Sequence, residues 1–436
     1  MSNLYTFTGG VRLYKSEFEK LASEQAVETM PPPALVEIGV PTSAELSVAV
    51  GDRVLLGQPI VTDACRILTH SSVSGEVISI KNEDDRAISV VIKNDFTDTR
   101  DPSVTPFTKR VTETSPEEIV RLIRRAGIVE SGDGVSVAGR VECAIGCARR
   151  LLINCTECEP FLASRHRLLL EHPTHVLNGA KILLRALEVE YADIVIEESR
   201  MDAIRALEGA IGNNPLLRLR VTATKYPQGD RRLVINSIVG KELPARETTA
   251  QLGYVVVSAE VCADIFRAFA EGLPQIEKLL TVAGDAIEDQ KVIRVRVGTR
   301  ASDIEEFCGG TEGLAAIVSG GLMNGRLLPI DREYCITKSD SALLYVTDEY
   351  FRSSRYSGCI RCGTCISGCP MHLMPLYLAK HAAKGNVKGA LAMGLKTCIE
   401  CGVCTYNCPG GVQHVYHIRN AKAKYNAERA KEEDHE

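Results

Sequence analysis

Hydrophobic and polar positions change their spacing several times along this chain. Between Pro31 and about Lys81, short apolar runs such as "ALVEIGVPT", "VAVGDRVLLGQPIV" and "GEVISI" alternate with turn residues, a pattern typical of an all-β module. From Ser115 the spacing becomes helical. In "TSPEEIVRLIRRAG" we expect Ser115 as the N-cap, Pro116 as the first helical residue and Glu118 as the partner that completes a capping box. The polar, Pro-containing linker between these patterns predicts a domain boundary.

Apolar strands and amphipathic helices then alternate. The runs "RLLINC", "ADIVIEE", "RLRVTAT" and "GYVVVSAE" predict strands, and "HVLNGAKILLRALEVE" and "MDAIRALEGAI" predict helices. This alternation is typical of a parallel sheet with helices on both faces, which binds nucleotides at the carboxyl ends of its strands. From about Leu280 to Val346 the strands shorten around the glycine-rich "CGG" and "SGGLMNG". We expect a small β-grasp-like module there.

Two near-copies of one cysteine pattern follow. "CIRCGTCISGCP" at 359–370 and "CIECGVCTYNCP" at 398–409 both have the form C-x2-C-x2-C-x3-C-P. Bacterial ferredoxins hold two 4Fe-4S clusters with this run, in which the fourth Cys ligates the other cluster. The pattern therefore predicts one cluster on Cys359, Cys362, Cys365 and Cys408, and a second on Cys398, Cys401, Cys404 and Cys369. The alternative, a pair of zinc knuckles, has no use for the trailing Cys-Pro.

The segment between the two cysteine runs predicts two helices. A breaker at Gly385 and Asn386 separates its two apolar-periodic stretches. The charged C-terminal tail, "NAKAKYNAERAKEEDHE", predicts a solvated helix.

Length and composition limit the class of protein. A chain of 436 residues with a net charge of −5 suggests about three domains and gives no indication of nucleic-acid binding. No apolar run approaches the ~18 residues that cross a bilayer, and we expect no leader peptide in "MSNLYTFTGG", which lacks a basic n-region and an apolar core. Sixteen cysteines in such a chain favour metal and redox chemistry in a reducing compartment over disulfides. We expect a cytoplasmic protein, either free or peripheral to the membrane.

Several longer motifs carry a resemblance to a known family. "NCTECEPFLASRHRLLLEHP" at 154–173, "TKYPQGDRRLV" at 224–234, "GKELPA" at 240–245 and the two cysteine runs resemble the RnfC component of the Rnf electron-transport complex. The resemblance implies a multidomain α/β protein with five parts. These are a half-barrel (barrel-sandwich hybrid) at 1–110, a Rossmann-like FMN/NADH-type α/β domain at 111–279, a small β-grasp (SLBB-like) module at 280–349, a two-cluster ferredoxin-like domain at 350–420 and a charged tail at 421–436.

The same resemblance implies a function. The family includes the cobalamin reductase of propanediol-degrading microcompartments and an electron-transfer protein associated with D-proline reductase, and it is similar to the NADH-oxidising flavoprotein of respiratory complex I. It implies hydride transfer from NADH to FMN, then single electrons into the clusters and on to a redox partner. That partner is either a dedicated reductase or the membrane Rnf complex. The alternative is a flavin-less electron-transfer module that a partner protein reduces.

One loop departs from the family pattern. Where the family has a loop of the type G-x-G-G-A-G-F-P-T, this chain has "AGIVESGDGVSVAGR", so that Glu130, Asp133 and Val135 stand at glycine positions. A β-branched side chain obstructs close approach of the backbone, and added carboxylates repel a phosphate. Gly132 and Gly134 leave room for a rearranged loop. The sequence is compatible both with an altered FMN or NADH loop and with an ordinary surface turn.

The next motif matches the family better. Asn154, Glu157 and Glu159 match an Asn-x-x-Glu-x-Glu-Pro pattern that, by the resemblance, lines the flavin and nicotinamide pocket, although Arg165 replaces an expected acid. A structural ion pair is the alternative for these carboxylates. Lys225 in "TKYPQG" is a candidate phosphate ligand or a solvated loop lysine.

Four cysteines lie close together in the sequence beside this loop. They are Cys143, Cys147, Cys155 and Cys158, within sixteen residues. Such a group is a candidate for redox thiols or for an additional metal site. The alternative is that several of them are small buried hydrophobic residues.

Overall fold

The computed structural model describes residues 4–13, 17–41, 44–83, 87–244, 247–330, 333–351 and 357–433. Its strands form three sheets, one for each of the first three modules. Among the described helices, none is both long enough and apolar enough to cross a membrane.

The first sheet is the antiparallel half-barrel that the sequence predicts, with strand order β2-β5-β4-β3. Val36, Ile38 and Val40 on one strand and Val90 and Ile92 on its neighbour are buried in one core, because every second residue of a strand faces the same side. The elements up to this point are α1 (Glu17–Glu24), β1 (Glu28–Thr29), β2 (Leu35–Pro41), β3 (Arg53–Val54), β4 (Gly75–Glu83) and β5 (Ala87–Asn94).

The second sheet is parallel, in the order β8-β7-β6-β9, as the alternating strands and helices predict. Its helices cover the two faces and bury the largest apolar cluster described. The elements are α2 (Pro116–Arg125), α3 (Val137–Glu142), β6 (Arg150–Asn154), α4 (Ser164–Glu171), α5 (Pro173–Leu187), β7 (Ala192–Glu197), α6 (Met201–Ile211), β8 (Leu217–Thr222), α7 (Arg231–Val239), β9 (Tyr254–Ser258) and α8 (Ala259–Glu271).

The start of α2 confirms the predicted capping box. The Ser115 hydroxyl accepts a hydrogen bond from the Glu118 backbone, and the Glu118 carboxylate accepts one from the Ser115 backbone. Ile119 and Ile123, one turn apart, are buried against the sheet. Local signals therefore fix this helix independently of its neighbours.

The third sheet has the order β1-β11-β10-β14-β12-β13. Its first strand comes from the N-terminus, since Glu28 pairs with Ile293. The sequence assigns residues 1–110 to the half-barrel, but in the structure this N-terminal strand extends the third sheet and the half-barrel strands begin at Leu35. The elements are β10 (Glu277–Ala283), β11 (Lys291–Arg296), α9 (Ala301–Phe307), β12 (Leu314–Ser319), β13 (Arg326–Leu328), β14 (Ala342–Thr347) and α10 (Asp348–Phe351).

The last module is helical and carries the cysteine runs. The predicted breaker is confirmed: Gly385 has φ +66°, and the Asn386 side chain caps the following helix. The charged tail is helical as predicted up to Glu433, where it continues the last helix, and residues 434–436 lie outside the described residues. The elements are α11 (Thr364–Ser367), α12 (Pro375–Ala383), α13 (Val387–Ala392), α14 (Val403–Tyr406) and α15 (His414–Glu433).

A buried lysine joins the first three modules. The Lys338 ammonium donates to the backbone oxygens of Leu68, at 2.8 Å, and Gly127, at 2.9 Å. Gly127 has φ +59°, and a Cβ there would lie 2.1 Å from the Leu68 oxygen. Only glycine fits this junction without displacing the half-barrel.

The Gly127→Ala variant tests this junction. We expect it to lower the thermal midpoint more than Gly240→Ala, a control glycine of φ +73° whose Cβ would meet nothing within 4 Å. Both variants carry left-handed strain of about 1 to 2 kcal/mol, and only Gly127→Ala adds overpacking of about 1 to 3 kcal/mol. Thermal unfolding is followed by circular dichroism. Equal thermal midpoints for the two variants would contradict the close packing at Gly127.

Candidate functional site

A cavity of about 670 Å³ lies at the carboxyl ends of β6 and β9. Ligands of doubly wound sheets bind at this edge, and the volume is within the range of about 300 to 1,000 Å³ typical of small-molecule sites. Its wall also includes the loop 130–133, the segment 226–231, the end of β12 at 319–321 and the second cysteine run at 399–401. The cavity is therefore shared by the α/β, β-grasp-like and dicluster modules.

The altered loop forms one wall, and its carboxylates are paired. The Arg140 guanidinium lies 2.9 Å from the Glu130 carboxylate, and both side chains are buried. Glu130 also accepts a hydrogen bond from the Ser258 backbone at 3.3 Å. Arg231 pairs with Asp133 at 2.6 Å. The charge expected to repel a phosphate is thus compensated by two arginines.

The shape of the loop leaves bare backbone at the cavity. Gly132 has φ +89°, lines the cavity, and would place a Cβ with nothing within 4 Å. Gly134 also has positive φ, at +63°. Val135 is 43% exposed and lies off the cavity wall, so its branched side chain does not obstruct it. The cavity volume and the open backbone at Gly132 fit FMN.

Asn154 and Glu157 both line the cavity and both bind protein groups. The Glu157 carboxylate accepts hydrogen bonds from the backbone of Arg165, at 2.9 Å, and His166, at 3.1 Å, and so caps the start of α4. The Asn154 amide donates to the Gly229 oxygen at 2.9 Å. Each residue therefore shapes the cavity wall by fixing a neighbouring segment.

Arg165, the departure from the family pattern, neutralises a buried acid. Its Nε lies 3.0 Å from both carboxylate oxygens of Glu260, which begins α8 on the cavity wall. Burial acts to raise the pKa of Glu260, but the charge and hydrogen bonds of Arg165, the Glu260 backbone amide and the Lys278 charge together outweigh it, and the net shift is downward. Glu260 is thus held as a carboxylate.

Glu159 and Tyr226 connect the cavity to the second cysteine run. Burial raises the pKa of Glu159 from 4.5 to about 7. The Tyr226 hydroxyl lies 2.9 Å from the Glu159 carboxyl and 2.7 Å from the Cys401 backbone oxygen. One hydroxyl proton cannot be donated to both acceptors. When Glu159 is protonated, it donates to Tyr226, and Tyr226 donates to Cys401.

Lys225, the predicted phosphate ligand, lies outside the cavity wall. Its ammonium donates to the Phe7 backbone oxygen at 2.8 Å and lies over the Phe7 ring. It therefore holds the N-terminal strap, by which we mean residues 4–13.

The N-terminal strap joins the α/β module to the dicluster module. The Gly10 backbone donates to the Gly368 oxygen at 2.9 Å, and Val11 pairs with Tyr226. A Cβ at Gly9 would lie 2.9 Å from the Cys369 oxygen. The strap thus packs directly on one of the predicted cluster ligands.

The four clustered cysteines occupy three different environments. Cys143 and Cys147 are exposed after α3. Cys155 is in the apolar core, where burial raises its pKa to about 12. Cys158 lines the large cavity, and burial also raises its pKa. The redox-thiol hypothesis therefore applies best to the exposed pair, since a buried thiol of raised pKa is a poor nucleophile.

The two predicted cluster sets surround two separate cavities. Within the described residues, no group of three or more His, Cys, Asp or Glu side chains gathers as it would about a single metal ion. The inner cluster site is lined by Cys369, Cys398, Cys401 and Cys404. The outer cluster site is lined by Cys359, Cys362, Cys365 and Cys408. Each set combines three cysteines of one run with the fourth of the other.

Several residues of the site are not evident from the sequence. Tyr226 lies next to Lys225, the candidate phosphate ligand. A tyrosine, with an apolar ring and a polar hydroxyl, is better suited than a lysine to a buried cavity wall. The two unexplained acids at 130 and 133 required cationic partners, but nothing in the sequence selects Arg140 and Arg231. Glu260 gives no signal before α8 is placed beside α4.

Comparisons with known families define the class. The Nuo51 FMN-binding domain matches residues 123–267, the RnfC barrel sandwich hybrid domain matches 5–97 and a 4Fe-4S dicluster domain matches 358–412. The chain is therefore an electron-transfer iron–sulfur protein with an FMN-binding domain.

Its relatives identify the family. The RnfC protein of the Na(+)-translocating ferredoxin:NAD(+) oxidoreductase complex of Acetobacterium woodii is 33% identical over 393 residues, covering 87% of this chain and 88% of the relative. Its counterpart in the proton-translocating complex of Clostridium ljungdahlii is also 33% identical, covering 86% of this chain and 84% of that relative. The counterpart in the ion-translocating complex of Rhodobacter capsulatus is 31% identical, covering 90% of this chain and 78% of that relative. This chain belongs to the RnfC family.

Solved structures show the same fold. An NAD+-reducing [NiFe]-hydrogenase in the air-oxidised state matches with a TM-score of 0.53 and 18% identity over 71% of this chain. The H2-reduced state matches with a TM-score of 0.50 and 16% identity. The chain spans about three fifths of the hydrogenase chain, 61% in the first comparison.

The pKa of Glu159 gives a testable pH dependence. The folded protein holds a proton on Glu159 between pH 4.5 and about 7 that the unfolded chain releases, so wild-type stability falls as pH rises through this window, by at most about 3 kcal/mol. Glu159→Gln lacks this loss. We expect the thermal midpoint of the variant, relative to wild type, to increase between pH 5.5 and 8. Glu208→Gln, at an exposed position, is the control. A difference in thermal midpoint between Glu159→Gln and wild type that does not change with pH would contradict the buried proton on Glu159.

Proposed function

We propose that this chain exchanges electrons between NADH, bound at the large cavity, and a one-electron redox partner, by way of FMN and two 4Fe-4S clusters. One observation supports this most strongly: Cys401 of the inner cluster site lines the same cavity as Gly132 and Asn154. A cofactor in the cavity and a cluster on Cys401 would share a wall.

FMN, when bound, would supply the exchange between the two electrons of a hydride and the single electrons that clusters accept. The residues suited to hold it are the open backbone at Gly132, the wall at Asn154 and the partly exposed Arg231, which also lines the cavity. Glu130 and Asp133 do not oppose this assignment, because Arg140 and Arg231 pair with them.

The order of the cluster sites follows from their exposure. The inner cluster site adjoins the cavity, and Cys404 and Cys369 are buried. At the outer cluster site Cys359 and Cys362 are exposed. Electrons would therefore pass from the cavity to the inner site, then to the outer site and the partner, or in the reverse direction.

The names of the relatives suggest the partner. Those proteins are components of ferredoxin:NAD(+) oxidoreductase complexes. We infer that this chain either assembles with such a complex at the cytoplasmic face of the membrane or serves a dedicated reductase such as proline reductase. The genes beside this one discriminate between the two.

The first test is anaerobic. We expect NADH, added to protein loaded with FMN, to bleach the iron–sulfur absorbance. Gly132→Val should slow this bleaching about tenfold or more and lower bound flavin, because a side chain there projects into the cavity. Gly146→Val is the matched control, with φ +76° and open space away from the cavity.

A wild-type sample that dithionite reduces, but that neither NADH nor NADPH reduces, would refute nicotinamide oxidation. The chain would then receive its electrons from a partner, and purified protein that holds iron and sulfide without flavin would identify it as the flavin-less module. Equal flavin content in both glycine variants would refute the placement of FMN at Gly132.

The order of the clusters has a separate test. Cys369→Ser should remove the inner cluster and leave an outer cluster that dithionite reduces but NADH does not. Cys408→Ser should remove the outer cluster and leave an inner cluster that NADH still reduces. Electron paramagnetic resonance and iron analysis show which cluster each variant retains and whether NADH reduces it. Reduction by NADH in Cys369→Ser but not in Cys408→Ser would reverse the proposed order of the clusters.

A further inference from the structure

The two cysteine runs contain the same loop in two environments. Between the first and second cysteines the chain reads Ile360-Arg361 in one run and Ile399-Glu400 in the other, and both charged residues have left-handed backbones, with φ +59° and +57°. Ile399 and Glu400 line the large cavity. Ile360 is 63% exposed and Arg361 is exposed. The loop that meets the cofactor cavity at the inner site therefore faces solvent at the outer site.

The charges of the two loops differ in the same way. Glu400 is paired with Lys422 at 2.6 Å and with Arg419 at 3.4 Å. Arg361 forms no ion pair with any described residue. The inner loop is thus closed by contacts within the chain, whereas the outer loop keeps an unpaired positive charge.

Helix α12 extends the exposed surface. Its residue Leu376 lines the outer cluster site together with Ile360 and Arg361. The adjacent Tyr377 is 46% exposed, and the Lys380 ammonium lies 6.0 Å from its ring centroid. We call Ile360, Arg361, Met374, Tyr377, Lys380 and Lys384 the outer port. Met374, Tyr377 and Lys384 recur at helical spacing on the exposed side of α12.

The charge around the outer port is strongly positive. Residues 359–396 contain five Lys and Arg and no Asp or Glu, in a chain whose net charge is −5. Lys380, Lys384 and Lys388 are exposed and, among the described residues, have no acidic partner within ion-pair distance. Unpaired positive charge is therefore concentrated on α12 and at the start of α13, the two helices that follow the first cysteine run.

We propose that the outer port is the docking surface for an acidic one-electron carrier protein, an inference that rests on the proposed electron-transfer function. Short-lived electron-transfer complexes use small interfaces, and complementary charge steers their formation. The port supplies a small apolar centre, at Ile360 and Tyr377, within a basic surround. One electron leaves the chain at each encounter and reduces one carrier metal ion.

The test measures electron transfer without NADH. Protein is reduced with dithionite, freed of excess reductant and mixed in a stopped-flow instrument with oxidised rubredoxin, a small acidic carrier, or with the basic cytochrome c. We expect the rubredoxin rate constant to fall as salt rises and the cytochrome c rate constant to increase or stay level.

Charge reversal locates the port. Lys380→Glu/Lys384→Glu should lower the rubredoxin rate constant about tenfold or more at low ionic strength and raise that of cytochrome c. The matched control, Lys20→Glu/Lys424→Glu, makes the same charge change on exposed residues of α1 and α15. It should alter the rubredoxin rate constant less than about twofold. Neither variant touches a predicted cluster ligand.

Three outcomes would overturn the proposal. They are equal effects of the two variants, a rubredoxin rate constant that salt does not lower, and loss of binding to phosphatidylglycerol vesicles in Lys380→Glu/Lys384→Glu with the rubredoxin rate unchanged. The last would make this surface a membrane footprint. Because dithionite supplies the electrons, these results do not depend on whether NADH reduces the chain.

Discussion

The hydrogen bond from the Tyr226 hydroxyl to the Cys401 carbonyl is the contact on which the site depends. It fixes the wall of the α/β cavity against the inner cluster site. Neighbouring contacts hold the same junction: Arg419 donates to the Asn324 oxygen at 2.9 Å, and a Cβ at Gly402 would lie 2.6 Å from the Met323 oxygen. Three modules therefore meet at one inner site, held by side chains that bond to backbone oxygens and by one close approach of backbone to backbone.

Compensation of buried charge is the second constraint. The cavity wall carries more carboxylates than cations, and an unpaired buried carboxylate is costly. Glu130 and Glu260 each form an ion pair with an arginine, and Glu157 accepts hydrogen bonds from backbone amides. Glu159 avoids the cost by holding a proton. The departures from the family pattern thus form pairs: the acid at 130 with Arg140, and Arg165 with the acid at 260.

Local signals made much of this structure predictable. The capping box at Ser115, the strand and helix periodicities and the two cysteine runs each act over a few residues, so the sequence alone predicts α2, the parallel sheet and the grouping of the cluster thiols. The pairing of Asp133 with Arg231 was not predictable, because it joins segments distant in the sequence. The strap was missed for the same reason: Gly9 and Gly10 matter only through contacts with Tyr226 and Cys369. Spacing alone also suggested a single site for the four clustered thiols, but Cys155 faces the apolar core whereas the pair after α3 faces solvent.

The repeated cysteine run shows how one local structure acquires two roles. Both copies adopt the same left-handed turn, so the geometry of the cluster ligands does not distinguish them. The difference lies in the residue at the turn and in what faces it: Glu400 meets Arg419 and Lys422 inside the molecule, and Arg361 meets solvent. Each of the two cavities is lined by three cysteines of one run and the fourth cysteine of the other, so the two sites share both segments of chain. The asymmetry in charge and burial therefore distinguishes two nearly symmetric sites, one against the enclosed cavity and the other beside an exposed basic surface.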